Sequence, residues 1–440
     1  MSFPKYNRYK NSEVEWLGEV PEHWEVKSIK WLSPVQRGAS PRPIEDPKYF
    51  DDGGEYAWVR IADVSASDGI LLETTQKLSQ LGSDLSVKIN PGELFISIAG
   101  TVGKPCISAI KACIHDGFIY FPSLEINPLF LYRIFEAGTC YGGLGKFGTQ
   151  LNLNTDTIGS IRITLPPKEE LDRLLSFLDR ETTKIDELIA EQRQLIDLLK
   201  EKRQAVISHA VTKGLNPDAP MKDSAIEWLG EVPEHWEIMP LKRDLVLLTS
   251  GSRGWAENYS EEGDLFLRIG NLTRDSIALD LSDIQRVSVP EGAEGARTKV
   301  QSGDILFSIT AYLGSVAIIP ENLETAYVSQ HVALARPLQK RLLPDWIGFT
   351  TLSFVGKTYL EHQGYGGTKV QLSLDDVANL VMMAPPIKEQ QEILKFIELE
   401  TAKFDELIAE AQHAIALLRE RRTALISAAV TGKIDVRSLV

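Results

Sequence analysis

Three cysteines and a histidine come nearest to a ligand set in this sequence. Cys106-x6-Cys113-x-His115, with Cys140 further on, offers three thiolates and an imidazole to a metal ion. Structural zinc sites pair their ligands about two to four residues apart, and this run does not, so three buried thiols and no metal are expected. Gly100-Thr-Val-Gly-Lys104 has the look of a phosphate loop, but Ile98 stands where the first glycine belongs and Pro105 where the magnesium-binding hydroxyl would be. The double prolines read Leu165-Pro-Pro-Lys168 and Ala384-Pro-Pro-Ile387, without the preceding Asn or Asp and following aromatic that grip a flipped adenine. No paired Asp/Glu-x-Lys nuclease signature recurs. No catalytic residue can be nominated, and the chain is expected not to be an enzyme.

The composition is that of a folded protein with more than one core. The 440 residues exceed what a single core usually organises, and 43% hydrophobic with 25% charged side chains is ordinary for a globular chain. No stretch reaches the roughly 20 apolar residues of a membrane helix, and the polar start MSFPKYNRYKNSEVEW is unlike a secretory signal. An odd number of cysteines in one third of the chain fits a reducing cytoplasm. The net charge of −14 excludes a strong general grip on phosphate: residues 1–165 carry 16 basic and 19 acidic side chains, and residues 214–384 carry 14 and 23. Any polyanion must be met by local basic patches or through a partner.

The chain is written twice. Glu15–Glu25 reads EWLGEVPEHWE, and Glu227–Glu237 repeats it unchanged. Trp58-Val-Arg-Ile-Ala-Asp-Val64 is echoed by Phe266-Leu-Arg-Ile-Gly-Asn-Leu272, and Gly92–Ile98 by Gly303–Ile309. Gly148-Thr-Gln-Leu-Asn-Leu153 matches Gly367-Thr-Lys-Val-Gln-Leu372, and each half then reaches its double proline. Such spacing marks duplication of one large unit rather than a solenoid. Within each unit, short apolar and β-branched runs bounded by turn formers predict strands, and patches such as Pro128–Glu136 and Leu343–Leu352 have helical spacing. The expected fold class is therefore mixed α/β (α+β), with domains at 1–165 and 214–384.

Long helices follow both domains, at 166–213 and 385–440. From Glu169 to Val211 there is neither Gly nor Pro. Apolar residues recur in steps of three and four at Leu171, Leu174, Leu178, Ile185, Leu188, Leu195, Leu199 and Val206, then at Ile393, Ile397, Phe404, Leu407, Ala411, Ala414, Leu418, Leu425 and Ala428. That is a heptad seam, which needs a partner helix. The other copy, packed antiparallel as a coiled coil, is the simplest partner, and a helix of another subunit the rival. Glu181 and Glu400 interrupt both seams at the same place.

In this order, and present twice, the motifs WLGEVPEHW, Arg-Ile-x-Asp/Asn, Gly-Thr-x-Leu/Val-x-Leu, a double proline leading into Lys-Glu (with Ile387 between them in the second copy) and a long helix resemble the specificity subunits of type I restriction–modification systems over essentially the whole chain. The resemblance implies two target-recognition domains, each reading one half of a split, asymmetric site in double-stranded DNA, and two helices that set the spacing. It also implies docking of two modification subunits, which are adenine methyltransferases, and of restriction motor-nuclease subunits, in a bacterial or archaeal cytoplasm. S-adenosylmethionine, ATP and magnesium would then be bound by those partners, and this chain would need no cofactor. The recognition subunit of a related, type IIB-like system and a coiled-coil scaffold that binds only protein are the competing readings. The copies depart from one another where Ala311 replaces the first glycine of the Gly100–Gly103 loop, where Gln371 matches Asn152, and most in the loops Gln36–Lys48 and Ser250–Glu262.

Base reading calls for Arg, Lys, Asn or Gln at base edges, with hydroxyls and main-chain amides steadying phosphate. Candidates in the first domain are Arg37, Ser40 and Arg42 in a Gly-Pro loop, then Lys104, Lys146 and Gln150. In the second they are Ser252, Arg253 and Arg274, with Lys369 and Gln371. Arg60 and Arg268 close matching strands beside Asp63 and Asn271, and suit either a shared phosphate contact or a structural ion pair. The tryptophans Trp16, Trp24, Trp228 and Trp236, with His23 and His235, are expected to pack at the helix ends rather than stack on bases.

Overall fold

Apolar runs of about four residues, cut by Gly, Asn and Asp, become short strands, and the two Gly- and Pro-free stretches become two very long helices. The computed structural model describes residues 3–142, 144, 146–147, 150–151, 153–289, 293–311, 313–363 and 371–439, with the backbone alone at 146–147, 150–151 and 293–294. The chain divides into two compact units, one of residues 1–192 with 413–440 and one of residues 193–412. Both contain sheets and helices, as the mixed fold class requires. Among the described residues, no helix is long and apolar enough to cross a membrane.

The first unit is built on two sheets. Strands β1 (Gln36–Arg37), β3 (Leu94–Ser97), β4 (Pro105–Ser108) and β6 (Phe118–Tyr120) run in the order β1-β6-β3-β4, and Ile70–Leu71 completes that sheet. In the other, β2 (Tyr56–Val59) lies parallel to β5 (Ala112–Ile114), between Lys77–Leu78 and Val87–Ile89. Val59, Phe95, Cys106, Ile114 and Phe118 pack between them as the core. All three cysteines are buried free thiols, and burial pushes the thiol of Cys106 up to about 11 and those of Cys113 and Cys140 up to about 12. Among the described residues, no three His, Cys, Asp or Glu side chains are grouped to hold a metal.

The second unit repeats the plan. Strands β7 (Leu245–Ser250), β9 (Ile305–Ser308), β10 (Val316–Ile318) and β12 (Val332–Pro337) run in the order β7-β12-β9-β10. A second sheet sets β8 (Asp264–Leu267) parallel to β11 (Ala326–Val328). The helix α2 (Pro128–Ala137) of the first unit has its counterpart in α4 (Pro344–Leu352) of the second, and proline opens both, at the position where a missing N–H is harmless.

The repeated EWLGEVPEHWE motif fastens each domain to a long helix. The helix after the first domain, α3, spans Lys168–Lys213, and that after the second, α5, spans Ile387–Val430. Trp24 and Trp236 are wholly buried, so neither ring is available to stack on a base. The Trp24 indole N–H donates to Glu170 Oε1 at 3.1 Å, with His23 Nε2 2.9 Å from Oε2 and the Tyr6 hydroxyl donating as well. In the second unit Trp236 donates to Glu389 at 3.0 Å and His235 lies 2.8 Å from it. These glutamates sit in the first turn of their helices, where a negative charge is favoured by the helix dipole.

Each unit pairs a part of α3 with a part of α5 running the opposite way. Arg422 holds Asp186 at 2.9 Å in the first unit, and Arg203 holds Asp405 at 3.0 Å in the second. The long helices therefore pair within one chain. The seam departs from the expected one at Leu188, Leu195 and Leu407. Ile185, Ile189 and Ile196 of α3 face inward, as do Ala411, Ile415 and Leu425 of α5, whereas Leu188, Leu195 and Leu407 are exposed. The column Leu178, Ile185, Leu199, Val206 belongs to both seams, and the second column lies one residue later than expected. Leu188-Ile189, Leu195-Ile196 and Leu407-Ile408 are adjacent apolar pairs, so steps of three then four fit the sequence as well as four then three. Glu181 and Glu400 consequently flank the seam, paired with Lys184 and Lys403, and their neighbours Thr182 and Thr401 are buried in it. Both threonines return their hydroxyls to the carbonyl four residues back, at 2.7 Å, and so enter the seam without an unpaired donor.

Candidate nucleic-acid interface

Strand registers bring one rim of each unit together. In the first, Val59 lies beside Ile114 at the ends of the parallel pair, so Arg60 and the turn His115–Gly117 emerge side by side. Ser97 of β3 lies opposite Phe118 and Arg37 opposite Ile119, which adds the loop after β3 and the loop after β1 to the same rim. The second unit repeats this: Leu267 beside Val328, Ser308 opposite Val332 and Ser250 opposite Ala333. There Arg268, the turn Ser329–His331, the loop after β9 and the loop after β7 share a rim.

The two divergent loops start from one anchor. Gly38 N–H donates to Phe118 O at 2.9 Å and Ala39 N–H to Ile114 O at 3.1 Å; Gly251 donates to Val332 O and Ser252 to Val328 O, both at 3.0 Å. A Cβ at Gly38 would lie 2.2 Å from His115 O, and one at Gly251 2.1 Å from Ser329 O, so the approach admits only glycine. Beyond this anchor the sequences part. The scaffold is repeated and its cargo of side chains is not.

In the first unit three expected contact residues converge on Asp116, which sequence reading missed. Ser40 Oγ donates to Asp116 Oδ1 at 3.2 Å and Arg42 Nη2 to Oδ2 at 3.1 Å, while Arg37 Nε donates to the Asp116 carbonyl. Asp116 thus holds two exposed arginines on one edge of the rim, Arg42 by its carboxylate and Arg37 by its carbonyl, leaving other N–H groups of each for a ligand. His115 beside it accepts from Gly117 N–H at 2.8 Å, and burial lowers the pKa of its imidazole.

Arg60 and Arg268 cap matched turns. Asp63 accepts from the Arg60 backbone N–H at 2.9 Å and Asn271 from that of Arg268 at 2.8 Å. Their guanidiniums reach Asp63 and Thr75 in one case and Asp283, at 3.0 Å, in the other. Lys104 donates to the carbonyls of Ser65 and Ser67 at 3.0 and 2.7 Å, at the end of the helix α1 (Ile61–Ala66), which turns its charge inward to a helix C-terminus. Ser252 is only 2% exposed, with its hydroxyl 3.0 Å from Thr298, so it belongs to the anchor and offers nothing to a ligand at the surface. Arg253 and Arg274 are exposed. Gln371 is exposed and bridges Thr310 on the rim. Lys369 and the side chains of Lys146 and Gln150 lie outside the described residues.

The second rim also carries Gln330 and His331, exposed and unforeseen, at the positions of Asp116 and Gly117. The segments holding them, Ala112–Phe118 and Ala326–Val332, share only their first alanine. A search for repeated motifs passes over such a pair, and only the ladder registers align it.

Comparison with known proteins bears on this duplicated arrangement. The family described as the type I restriction modification DNA specificity domain matches the chain twice, at residues 21–198 and 233–415. The chain belongs to this family. It is similar to the type I restriction enzyme EcoKI specificity subunit of Escherichia coli K12, 24% identical over 96% of this chain and 91% of that one. It is also 23% identical to the MjaVIII specificity subunit of Methanocaldococcus jannaschii, over 100% of this chain and 99% of its relative. Its fold resembles that of a chain in a solved structure described as the structural basis underlying complex assembly and conformational transition of the type I R-M system, with a TM-score of 0.66 and 15% identity over 93% of this chain and 98% of that one. For a member of the specificity family, two matched rims with unlike side chains are the feature that function must explain.

Proposed function

We propose that this specificity subunit reads a split, asymmetric site in double-stranded DNA, one half-site at the rim of each unit. It directs associated adenine methyltransferase and restriction subunits to that site and performs no chemistry itself. The observation that carries the reading is the common anchor at Gly38 and Gly251, from which loops of different sequence depart. A repeated frame with exchanged side chains suits two domains that read different sequences by the same approach to a groove. The net charge of −14 places much of the phosphate contact on partners.

In this reading the paired helices are both spacer and dock. The exposed Leu188, Leu195 and Leu198 of α3, and Phe396, Leu399 and Leu407 of α5, are apolar side chains left outside the seam, as a surface for modification subunits requires. S-adenosylmethionine, ATP and magnesium are then ligands of those partners, and the assembly works in the cytoplasm.

The test is a map of methylated sites in DNA from cells carrying this chain with its neighbouring methyltransferase. A split motif with modified adenine on both strands, lost on deletion of the chain, is the expected result. Identical methylation with and without the chain, in cells where the methyltransferase is active, would overturn the reading.

A further inference from the structure

The turns His115–Gly117 and Ser329–His331 occupy the same place in the two units, between the parallel strand of one sheet and the first residue of the next antiparallel strand. The anchored loop crosses directly over each, with its glycine against the turn's carbonyl oxygen. At the tip the chemistry is exchanged: Asp116 in one unit, Gln330 in the other. The ladder register and the anchor hydrogen bonds around the tip are shared.

We infer that this tip residue selects the base read by each unit, an inference that rests on the DNA-reading function proposed above. Asp116 acts through its neighbours. Its carboxylate takes one face of Arg42 and the hydroxyl of Ser40, its carbonyl takes Arg37 Nε, and the free guanidinium N–H pairs are presented as a fork to the O6 and N7 of guanine. A carboxylate at this spot would repel phosphate if left bare, so its place among exposed arginines fits orientation better than general affinity. Gln330 acts directly. Its exposed amide, 3.1 Å from His331 Nε2, has the donor and acceptor that match N7 and N6 of adenine. Unit one thus reads a guanine and unit two an adenine at corresponding places in their half-sites.

The experiment uses the full chain assembled with its methyltransferase and selects bound duplexes from a pool randomised over both half-sites. Asp116→Ala should lower the preference for guanine at one position of the first half-site by about ten-fold and leave the second half-site intact. Gln330→Ala should relax an adenine position of the second half-site by a similar factor. Gln330 is exposed, so this variant keeps the proposal open to test even if Asp116→Ala unfolds. A uniform fall in affinity with both motifs unchanged would show a phosphate or structural role and overturn the inference. So would relaxation in both half-sites from one substitution. If the unaltered complex selects no motif, the DNA-reading function itself falls, and that result is distinct from either of the others.

Discussion

Gly100 in the first unit and Ala311 in the second hold the same left-handed backbone conformation, with φ of +62° and +63°. Both stand in the loop after the strand that reaches the rim. Glycine takes this conformation freely, whereas an L side chain there costs about 1–2 kcal/mol. The second unit keeps the loop shape without the residue that makes it easy, next to Thr310 and its bridge to Gln371. Strain retained at such a place is what a positioned contact loop leads one to expect.

Ala311→Gly should therefore stabilise the protein by about 1 kcal/mol, read as a higher denaturant midpoint. Gly100→Ala should destabilise it by more than that, because the new Cβ would lie 2.8 Å from Ile61 Cγ2. Unfolding curves for the two variants check both signs. An Ala311→Gly protein no more stable than its parent would mean the strain is absent.

Glu170 gathers three donors and Glu389 two, which sets an order for their removal. Glu170→Ala strands the buried Trp24 indole and Tyr6 hydroxyl and takes the partner from the exposed His23 ring, and is expected to cost about 3 kcal/mol. Glu389 is more exposed and, among the described residues, is bonded by His235 and Trp236, so Glu389→Ala should cost about half as much. Chemical denaturation of each variant decides it. Equal losses would remove the third donor, Tyr6, from the account.

The sequence carried much of this fold and less of its rim. Duplication was plain because EWLGEVPEHWE is needed intact in both copies: Trp fills the domain core, and His and Trp must reach a helix glutamate. The long helices were equally plain from periodicity. Which of two adjacent apolar residues faces inward was not, because Leu188 and Ile189 differ only in what the opposing helix presents. At the rim, Arg37, Ser40 and Arg42 stand out by residue type in a Gly-Pro loop, yet Asp116 is more than seventy residues away along the chain and reaches them through strand pairing. Ser252 is illegible for the opposite reason: a serine in a glycine-rich loop reads as exposed, whereas here the loop bridges Ser329 and buries it.

The corrected seam separates two sets of side chains that look alike in sequence. Ile189→Ala and Ile196→Ala should each destabilise the protein by about 2–4 kcal/mol, since both isoleucines are buried between helices. Leu188→Ala and Leu195→Ala, at 43% exposure each, should cost no more than about 1 kcal/mol in the isolated chain. The same leucine variants should weaken co-purification of the methyltransferase subunit, which measures the docking role. Full stability with undiminished assembly would leave the exposed leucines without a partner in this complex.

The spacer role makes a prediction about length. Inserting four residues after Glu191 in α3 and four after Glu410 in α5 adds about 6 Å to each helix. The two positions are matched: 219 residues separate Thr182 from Thr401 as they separate Glu191 from Glu410, so both helices grow at corresponding turns. Four residues are a stutter in a heptad seam, which unwinds it locally and leaves both ends paired. With B-DNA rising about 3.4 Å per base pair, the gap between half-sites should widen by one or two base pairs. Neither half-site should change, because no rim residue is moved within its own unit. A methylation-site map of cells carrying the lengthened chain reads gap and half-sites together. A gap of unaltered length in that map would sink the spacer role, and a changed half-site would show that the helices shape the rims as well as space them.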